Sequence, residues 1–401
     1  MTTQVLAIVF GLSPTGLTIA RSLARHGVPV IGVDGTWFEV GHFSKDIRHD
    51  SRFSRLPPGP MLVDELESFG RSCEVKPVFF AASDAYVDFL AVNRARLEAY
   101  FVMADSMRPE INSVFVDKRL FYEACLRFGV VMPQTFFPND ENDVLKAADS
   151  LRYPAIIKPT HGFKLRRVMH GNKLIEVKSA DELMHWWRVF CEWQADVVIQ
   201  ECIPGPEGNI AVGGMYMSRD GNCLSMFTAK KYRQQPPMYG SGSYMEAKWL
   251  PEVADLSVSL MKQFNYHGIC GTEYKWDGRD RKWKLIEVNS RPTLWFALTR
   301  AAGVDVVWDA YCDLLGQPNP VTQRCQNDKM RWQFFVRDIA SSLYYLRRGE
   351  LSWREFFRTT VDQRRKEWAV CAWNDWGANL GYIIYTAMQI WTKLLVSPRH
   401  K

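Results

Sequence analysis

The feature that most constrains the fold is a short apolar run, a glycine turn, an amphipathic helix and a second apolar run at the start of the chain. The apolar runs are residues 5–10 and 28–33, and the turn Gly-Leu-Ser-Pro-Thr-Gly occupies residues 11–16. A strand, a turn, a helix and a strand in this order form a βαβ unit, which requires a parallel sheet. A third apolar run, residues 78–82, predicts another strand. We therefore predict a doubly wound α/β domain over residues 1–112.

The glycine turn at residues 11–16 also admits a different interpretation. A glycine turn between a strand and a helix binds dinucleotides in many oxidoreductases. This turn lacks the GxGxxG spacing, and Pro14 removes one backbone N–H that could face a pyrophosphate. The N-terminus of a helix can instead bind a carboxylate. A nucleotide-cofactor oxidoreductase therefore remains an alternative, which a dinucleotide titration followed by absorbance would test.

The following part of the chain shows a different succession of elements. An amphipathic helix begins near Lys118, and a short apolar strand ends at Lys158. Later apolar runs predict strands joined by turns, including a hairpin that turns at Asp277-Gly278. These features predict a second domain of α+β type over residues 113–320, with one lobe at about residues 152–200.

Acidic and amide side chains converge near the end of this hairpin. Glu287, Asn289 and Arg291 are spaced two residues apart, so they share one face of a strand. Glu273 lies on the partner strand, roughly opposite Glu287. Two carboxylates and an amide oxygen are ligands that Mg²⁺ takes when it also binds nucleotide phosphates. A charged, solvated hairpin face remains the alternative, because Glu-x-Asn-x-Arg is a short motif.

Several other polar residues lie at the ends of predicted elements. Lys118 starts a helix, where a lysine is usually a surface residue, whereas Lys158 ends an apolar strand, a rarer place for a charge. Residues 200–203, Gln-Glu-Cys-Ile, end a further strand, and Glu207 follows shortly after. Each of these residues alone is more easily explained as structural. Their order and spacing, taken together with the hairpin carboxylates, are specific.

In this order and spacing the residues resemble the ATP-grasp superfamily, and more narrowly its predicted carboligases, whose N-terminal turn is similar to residues 11–16. The resemblance covers residues from about 5 to 316. It implies an N-terminal Rossmann-like (pre-ATP-grasp) domain over residues 1–112, followed by an ATP-grasp fold of two α+β lobes over residues 113–320. A basic, aromatic and helical C-terminal extension is expected over residues 321–401.

The resemblance implies a nucleotide and metal site. The residues that match the family's nucleotide contacts are Lys118, Lys158, Gln200, Glu201, Cys202, Ile203 and Glu207. The two lysines match those that bind the phosphates, residues 200–203 match the hinge that holds adenine through backbone groups, and Glu207 matches the ribose-binding carboxylate. The residues that match the Mg²⁺ ligands are Glu273, Glu287 and Asn289.

The resemblance also implies catalytic and substrate-binding residues. The cations expected at the transferred phosphate or the substrate carboxylate are Arg291, Lys230, Lys231 and Arg233. In the family the N-terminal domain helps to hold the acceptor or the acyl substrate. The corresponding residues here are Ser13, Thr15, Ser83 and Asp84.

The stretch after the second lysine departs from the family pattern. The family usually covers the phosphates with a glycine-rich lid, but Gly162 is the only glycine in residues 160–168. Two interpretations of the basic residues Lys164, Arg166 and Arg167 remain open. They replace backbone N–H groups as partners of the phosphates, or they are simply solvated.

The activity that the resemblance implies is ATP-dependent ligation of a carboxylate to an amine through an acyl phosphate, with release of ADP and phosphate. Phosphoryl transfer needs positioning and charge neutralisation more than covalent help from the protein, which suits the residue types present. The expected cofactors are ATP and Mg²⁺, with Mn²⁺ as an alternative metal. A thiol or another nucleophile as acceptor, and a non-catalytic nucleotide-binding protein, are the alternatives.

The C-terminal part carries the basic surplus of the chain. The formal net charge is +6, and residues 331–401 hold 12 of the Lys and Arg and 6 of the Asp and Glu, so the remainder is balanced. Residues 376–392 are uncharged and too short and polar to span a bilayer as a helix. At helical spacing one apolar face comprises Leu380, Ile383, Ile384, Ala387, Trp391, Leu394 and Leu395. Docking onto the ligase body and interfacial binding to a membrane both remain open.

The expected compartment is the cytoplasm. The first residues resemble a strand more than a signal peptide, and the nine cysteines contain no CxxC pair, which favours a reducing environment. A peripheral position on the inner face of the cell membrane is the alternative that the C-terminal face leaves open. The expected partners are a small-molecule carboxylate and an amine, not nucleic acid, and a homodimer also remains open.

Overall fold

The computed structural model describes residues 4–161, 165, 168–169, 172–317, 325–361 and 365–396. These residues form three β-sheets with helices packed against them. The architecture is the mixed α/β fold that the sequence predicts.

The first sheet is the predicted parallel sheet. Its strands are β1 (Ala7–Phe10), β2 (Val30–Val33) and β3 (Val78–Ala81), in the order β2-β1-β3. Every residue of β1 is buried, because a parallel sheet is covered on both faces. The helices of this part are Pro14–Arg25, Pro60–Ser72, Asp84–Val92, Arg94–Leu97 and Pro109–Val116. The carboxyl ends of the strands meet at one edge, where doubly wound sheets bind ligands.

A smaller antiparallel sheet forms what we call the lid lobe. Its strands are β4 (Thr135–Phe136), β5 (Ala155–Pro159), β6 (Ile175–Val177) and β7 (Val197–Glu201), in the order β4-β7-β5-β6. The helices Glu141–Ser150 and Ala180–Glu192 cover one side of this sheet. The second helix begins after Ser179, whose side chain accepts from the N–H of Glu182. The sheet also reaches back to Thr135, which pairs with Gln200.

The third and largest sheet supports the hairpin with the acidic residues. Its strands are β8 (Ile210–Met217), β9 (Cys223–Gln235), β10 (Ser241–Ala247), β11 (Gly268–Asp277), β12 (Lys282–Asn289), β13 (Arg331–Gln333) and β14 (Lys366–Trp368). Their order is β12-β11-β8-β9-β10-β13-β14. The helices of this part are Lys118–Arg127, Pro251–Gln263, Phe296–Ala301 and Val306–Leu314. One apolar cluster joins the helix Val306–Leu314 and this sheet to the N-terminal domain.

The C-terminal extension is helical, as predicted, but it also contributes strands. The helices are Phe335–Arg347, Trp353–Phe356 and Trp376–Val396. Strand β13 pairs with β10, and β14 pairs with β13, so both extend the large sheet. The description of the extension as purely helical therefore needs this correction. Trp332 and Gln333 of β13 are fully buried.

The last helix docks onto the N-terminal domain through small residues. Asp375, just before the helix, accepts from Arg21 at 2.8 Å and from Ser44 at 2.6 Å. At Gly377 an added Cβ would lie 2.1 Å from the carbonyl oxygen of Phe43, so only glycine permits this approach. The predicted apolar face points outward instead, because its residues Leu380, Ile383 and Ile384 are exposed. Among the described helices, none has the length and hydropathy needed to cross a bilayer.

Candidate active site

Lys158 lies near the end of β5, in the cleft between the lid lobe and the large sheet. Its Nζ donates to Tyr122 Oη at 2.9 Å and to Gln200 Oε1 at 3.1 Å. The residue is 6% exposed, and burial, assisted by the charge of Lys118, lowers the pKa of Lys158 to about 7. Tyr122 in turn donates to the carbonyl of Ile286 at 2.7 Å, which ties this cluster to β12. The lysine is therefore positioned and poorly solvated, and a nearby anion would favour its charged form.

Lys118 begins a helix that is fixed at its first turn. The side chain of Asp117 accepts from the N–H groups of the first turn, and the backbone N–H of Lys118 donates to the carbonyl of Thr160 at 3.1 Å. Burial lowers the pKa of Lys118, although the charges of Glu287 and Asp84 oppose this shift. The two predicted phosphate lysines thus share one electrostatic environment with a predicted metal ligand.

The carboxylates of Glu273 and Glu287 lie opposite each other in the antiparallel pair β11–β12. Residues at such positions share a face of the sheet, with Cβ atoms roughly 5 Å apart. Lys231 Nζ contacts Glu273 Oε2 at 2.5 Å. Burial raises the pKa of Glu287, but surrounding lysines, with Lys173 and Lys118 first among them, outweigh burial and leave this pKa below its usual value. Glu287 is therefore ionised at neutral pH.

The donor set suits a metal that arrives with a phosphate ligand. Asn289 is two residues beyond Glu287 on β12, so it lies on the same face of the strand. Within the described ranges, no cluster of three His, Cys, Asp or Glu side chains could hold a metal. Mg²⁺ in nucleotide sites is commonly held by one or two carboxylates, with phosphate and water completing its shell. Two carboxylates and an amide meet this requirement, whereas they would not make a complete protein cage.

Arg291 connects the end of the large sheet to the N-terminal domain. Its Nε and Nη2 donate to the two carboxylate oxygens of Asp84, at 2.6 and 2.9 Å. Burial raises the pKa of Asp84, but Arg291 outweighs this and holds that pKa below its usual range. The structure therefore brings together a predicted catalytic residue and a predicted substrate residue, through a bidentate ion pair.

Lys173 is a cation near the site that motif reasoning missed. It follows the lid and precedes β6, and its charge lowers the pKa of both Glu287 and Asp84. A turn lysine carries no recognisable motif. The one indication in the sequence is the position of Lys173 between β5 and β6 of the lid lobe.

The predicted hinge, residues 200–203, comprises the last two residues of β7 and the two residues that follow it. The side chain of Glu201 is engaged by Arg279 at 3.0 Å and lies 3.6 Å from Lys284 Nζ, so it is part of an ion network with the hairpin. Lys275 Nζ donates to the carbonyl of Ile203 at 2.6 Å. The thiol of Cys202 lies 3.4 Å from the hydroxyl of Tyr239. The Glu201 side chain therefore has a structural role in this network.

Glu207 lies beyond the hinge, in the short turn that leads to β8. Its Oε1 accepts from the backbone N–H of Met238, which belongs to the connection between β9 and β10. Burial raises the pKa of Glu207, and nearby donor groups, the hydroxyl of Tyr345 first among them, partly offset this shift. The predicted ribose carboxylate is therefore desolvated and covered by the β9–β10 connection.

Lys230 and Arg233 lie on β9 but engage partners other than the paired carboxylates. Lys230 Nζ donates to the carbonyl of Gly208 at 3.0 Å. Arg233 forms a buried bidentate pair with Asp338, at 2.7 and 2.8 Å, and also donates to Thr359 at 2.9 Å. Of the three cations predicted on β9, the structure brings Lys231 to Glu273 and directs Arg233 to the extension.

Replacing Asp338 by asparagine should destabilise the fold strongly. The change leaves the guanidinium of Arg233 buried without its countercharge, which typically costs roughly 3–5 kcal/mol. The free energy of unfolding from urea titration measures the effect. Glu350→Gln, which removes an exposed ion pair with Arg348, is the matched control and should change stability little. An Asp338→Asn protein as stable as this control would contradict a structural role for the pair.

The other predicted substrate residues have local structural roles. Ser13 precedes the helix Pro14–Arg25 without a side-chain capping bond, Thr15 is buried in its first turn, and Ser83 accepts from the N–H of Tyr86 at 3.4 Å. Contact of these three residues with a substrate stays a prediction. The lid residues Gly162, Lys164, Arg166 and Arg167 lie outside the described residues.

Solved structures share this arrangement of sheets. The N5-carboxyaminoimidazole synthetase of Staphylococcus aureus complexed with ADP has a TM-score of 0.63 at 12% identity, over 80% of this chain and 79% of that chain. The biotin carboxylase domain of the Hydrogenobacter thermophilus 2-oxoglutarate carboxylase, in complex with MgADP, has a TM-score of 0.62 at 14% identity, over 82% and 74%. This chain has the ATP-grasp fold.

Curated relatives of this chain are ligases. The D-aspartate ligase of Enterococcus faecium (strain Aus0004) is 24% identical over 231 residues, which are 54% of this chain and 53% of the relative. The D-alanine–D-alanine ligase of Pseudomonas putida (strain GB-1) is 24% identical over 212 residues, 48% and 62%. The chain thus spans little more than half the length of these relatives. No family model matches the chain.

Proposed function

We propose that this ATP-grasp protein is an ATP-dependent carboxylate–amine ligase. The observation that carries the proposal is the constellation in the cleft, where lysines from both lobes surround two facing carboxylates. The two curated relatives are both ligases of D-amino acids, which supports an activity of this class. We propose ATP and Mg²⁺ as its cofactors, with a small-molecule carboxylate and a small-molecule amine as substrates.

In the proposed reaction a carboxylate oxygen of the substrate attacks the γ-phosphorus of ATP, and ADP leaves. The amine then attacks the carbonyl carbon of the acyl phosphate, loses a proton and displaces phosphate. Bound Mg²⁺ would neutralise phosphate charge during the first step. Lys118 and Lys158 would hold phosphate oxygens, and Glu273 and Glu287, with Asn289, would hold the metal.

Arg291 and Asp84 suggest where the substrate lies. The pair joins the end of β12 to the carboxyl edge of the N-terminal sheet, where such sheets bind ligands. A guanidinium beside the developing acyl phosphate would stabilise negative charge, while Asp84 keeps it oriented. No covalent role for a cysteine is needed, and the nine cysteines are all free thiols.

A screen of carboxylates paired with amines tests the proposal. Formation of ADP and phosphate that requires both partners is the expected result. Formation of AMP and pyrophosphate would indicate adenylation and contradict the acyl-phosphate route. Turnover with thiols but not with amines would replace the proposed acceptor, and nucleotide binding without any turnover would leave a non-catalytic protein.

We also propose that the protein acts in the cytoplasm and binds peripherally to the inner face of the cell membrane. The last helix uses glycine residues to dock on the body, which leaves its large apolar side chains outward: Trp376 is 72% exposed and Ile383 65% exposed. An exposed apolar stripe of this kind suits binding at the interface between a membrane and water. The excess of basic residues in 331–401 suits binding to anionic lipid. A homodimer is a further proposal, tested by light scattering.

Replacing Ile383 by aspartate should weaken this binding. The change places a charge in the apolar face without touching the docked face, and we expect roughly a tenfold lower partition onto anionic vesicles. Sedimentation with phosphatidylglycerol vesicles measures it. Val92→Asp, at an exposed apolar residue of the N-terminal domain, is the control and should bind like the unchanged chain. Equal binding of both variants, or no binding of the unchanged chain, would refute the membrane proposal.

A further inference from the structure

The C-terminal extension is anchored next to the nucleotide cleft by its first long helix. The helix Phe335–Arg347 presents Asp338 to Arg233 of β9, and Ser243 of β10 donates to the same carboxylate at 3.1 Å. Asp338 is fully buried. These contacts fix both the distance and the rotation of the helix relative to the large sheet.

The same helix brings Tyr345 to the predicted ribose carboxylate. Tyr345 is two helical turns beyond Asp338, so both side chains lie on the face that packs against the sheet. Only 6% of Tyr345 is exposed. The pKa of its hydroxyl is raised, first by burial and then by the charge of Glu207. Tyr345 and Glu207 therefore lie close together, although one belongs to the extension and the other to the hinge.

Two buried polar atoms in this region lack a hydrogen-bond partner within the described part of the chain. Among the described residues, neither the hydroxyl of Tyr345 nor Oε2 of Glu207 has a hydrogen-bond partner of good geometry. The other oxygen of Glu207 accepts from Met238. Leaving a buried polar group unsatisfied is costly, so such a pair of atoms suits a site that is completed by a ligand with hydroxyl groups.

We propose that Tyr345 of the C-terminal extension is a positioning residue of the nucleotide site, which holds the Glu207 carboxylate in the orientation that binds the ribose hydroxyls. This inference rests on the proposed nucleotide site and adds a residue outside the ATP-grasp domain to it. The hydroxyl of Tyr345 donates to one carboxylate oxygen, and the ribose donates to the remaining acceptor positions. The extension thereby becomes part of the nucleotide site as well as a docked appendage.

Binding of ATP and of 2′,3′-dideoxy-ATP, each with Mg²⁺, tests this inference by calorimetry without any ligase substrate. Tyr345→Phe should bind ATP roughly tenfold more weakly and 2′,3′-dideoxy-ATP about as tightly as the unchanged chain, because only the ribose hydroxyls need the oriented carboxylate. Tyr344→Phe, on the neighbouring residue, should keep the ratio of the two affinities. A thermal unfolding midpoint checks that each variant is folded.

Other outcomes separate the inference from the function on which it rests. If Tyr345→Phe weakens the binding of both nucleotides equally, the ratio of the affinity for ATP to that for 2′,3′-dideoxy-ATP is unchanged. Tyr345 is then only structural and the inference is wrong.

Glu207→Gln should lower the same affinity ratio, and adding Tyr345→Phe to Glu207→Gln should lower it no further. A further loss in the double variant would also overturn the inference. If the unchanged chain binds neither nucleotide, the proposed function itself fails.

Discussion

Replacing Glu287 by glutamine is expected to lower ligase turnover by roughly 10²–10³-fold, because the change removes a fixed negative charge that faces the phosphates and the metal. The carboxylate is held ionised by the lysines around it, so a neutral amide of the same shape alters both metal affinity and the charge balance of the cleft. The measurement is the initial rate of ADP formation at saturating ATP, as Mg²⁺ is varied.

Two comparisons make this result specific. Glu252→Gln changes an exposed glutamate in the helix Pro251–Gln263 and should retain the full rate. Raising Mg²⁺ should restore part of the activity of Glu287→Gln, because one metal ligand is weakened and another carboxylate remains. Full activity of Glu287→Gln at low Mg²⁺ would show that Glu287 holds no metal.

Replacing Lys158 by methionine is expected to weaken ATP binding by about 100-fold. A buried, hydrogen-bonded cation that pairs with an anion is typically worth a few kcal/mol, and methionine fills similar volume without charge. Lys146→Met, at an exposed lysine of the lid lobe, is the matched control and should bind ATP normally. Affinity of Lys158→Met within a factor of about two of the control would contradict the assigned role.

The lowered pKa of Lys158 predicts proton uptake on ATP binding, an effect that loss of packing alone would not produce. With a pKa of about 7 in the free protein, the side chain is largely neutral at pH values above 7. Bound phosphates favour the ammonium form, so ATP binding at about pH 8 should take up a proton, and affinity should fall as the pH rises further. Calorimetry in buffers of different ionisation enthalpy measures the uptake. Lys158→Met should show none of this contribution.

Short-range periodicity predicted well which side chains share the strand face of Glu287. The two-residue period places Glu287 and Asn289 on one side of a strand. The hairpin, with a register shift between Glu273 and Tyr274, sets Glu273 opposite Glu287. Both facts are local, because they depend on one strand pair and one turn. The parallel N-terminal sheet was predictable for the same reason, since its apolar runs are separated by a single helix.

Contacts between distant parts of the chain could not be predicted in this way. The pairing of Arg291 with Asp84 depends on how two domains pack, which no local pattern encodes. Arg233 lies two residues beyond Lys231 on β9, so the two-residue period predicts the same face for both side chains. Because β9 continues past the cleft, Arg233 pairs with Asp338 of the extension. A strand pattern predicts the face on which a side chain lies, but it does not predict which residue that side chain contacts.

The last helix shows a related limit. Its apolar periodicity was read correctly as an amphipathic face, but that face points outward. Gly377 lies against the backbone carbonyl of Phe43 and Gly381 against its side chain, so the helix docks through its smallest residues. The shape of the N-terminal domain at Phe43 decides which face of the last helix is buried, and the sequence of the helix alone does not contain this information.

The most direct test of the central claim follows oxygen from the carboxylate to phosphate. Once the screen has identified a carboxylate, that acid labelled with ¹⁸O is incubated with ATP, Mg²⁺ and the amine, and the released phosphate is analysed by mass spectrometry. Attack of the carboxylate on the γ-phosphorus predicts one ¹⁸O atom in each phosphate released. Phosphate without label, or label in AMP, would contradict the acyl-phosphate ligase proposed for this chain.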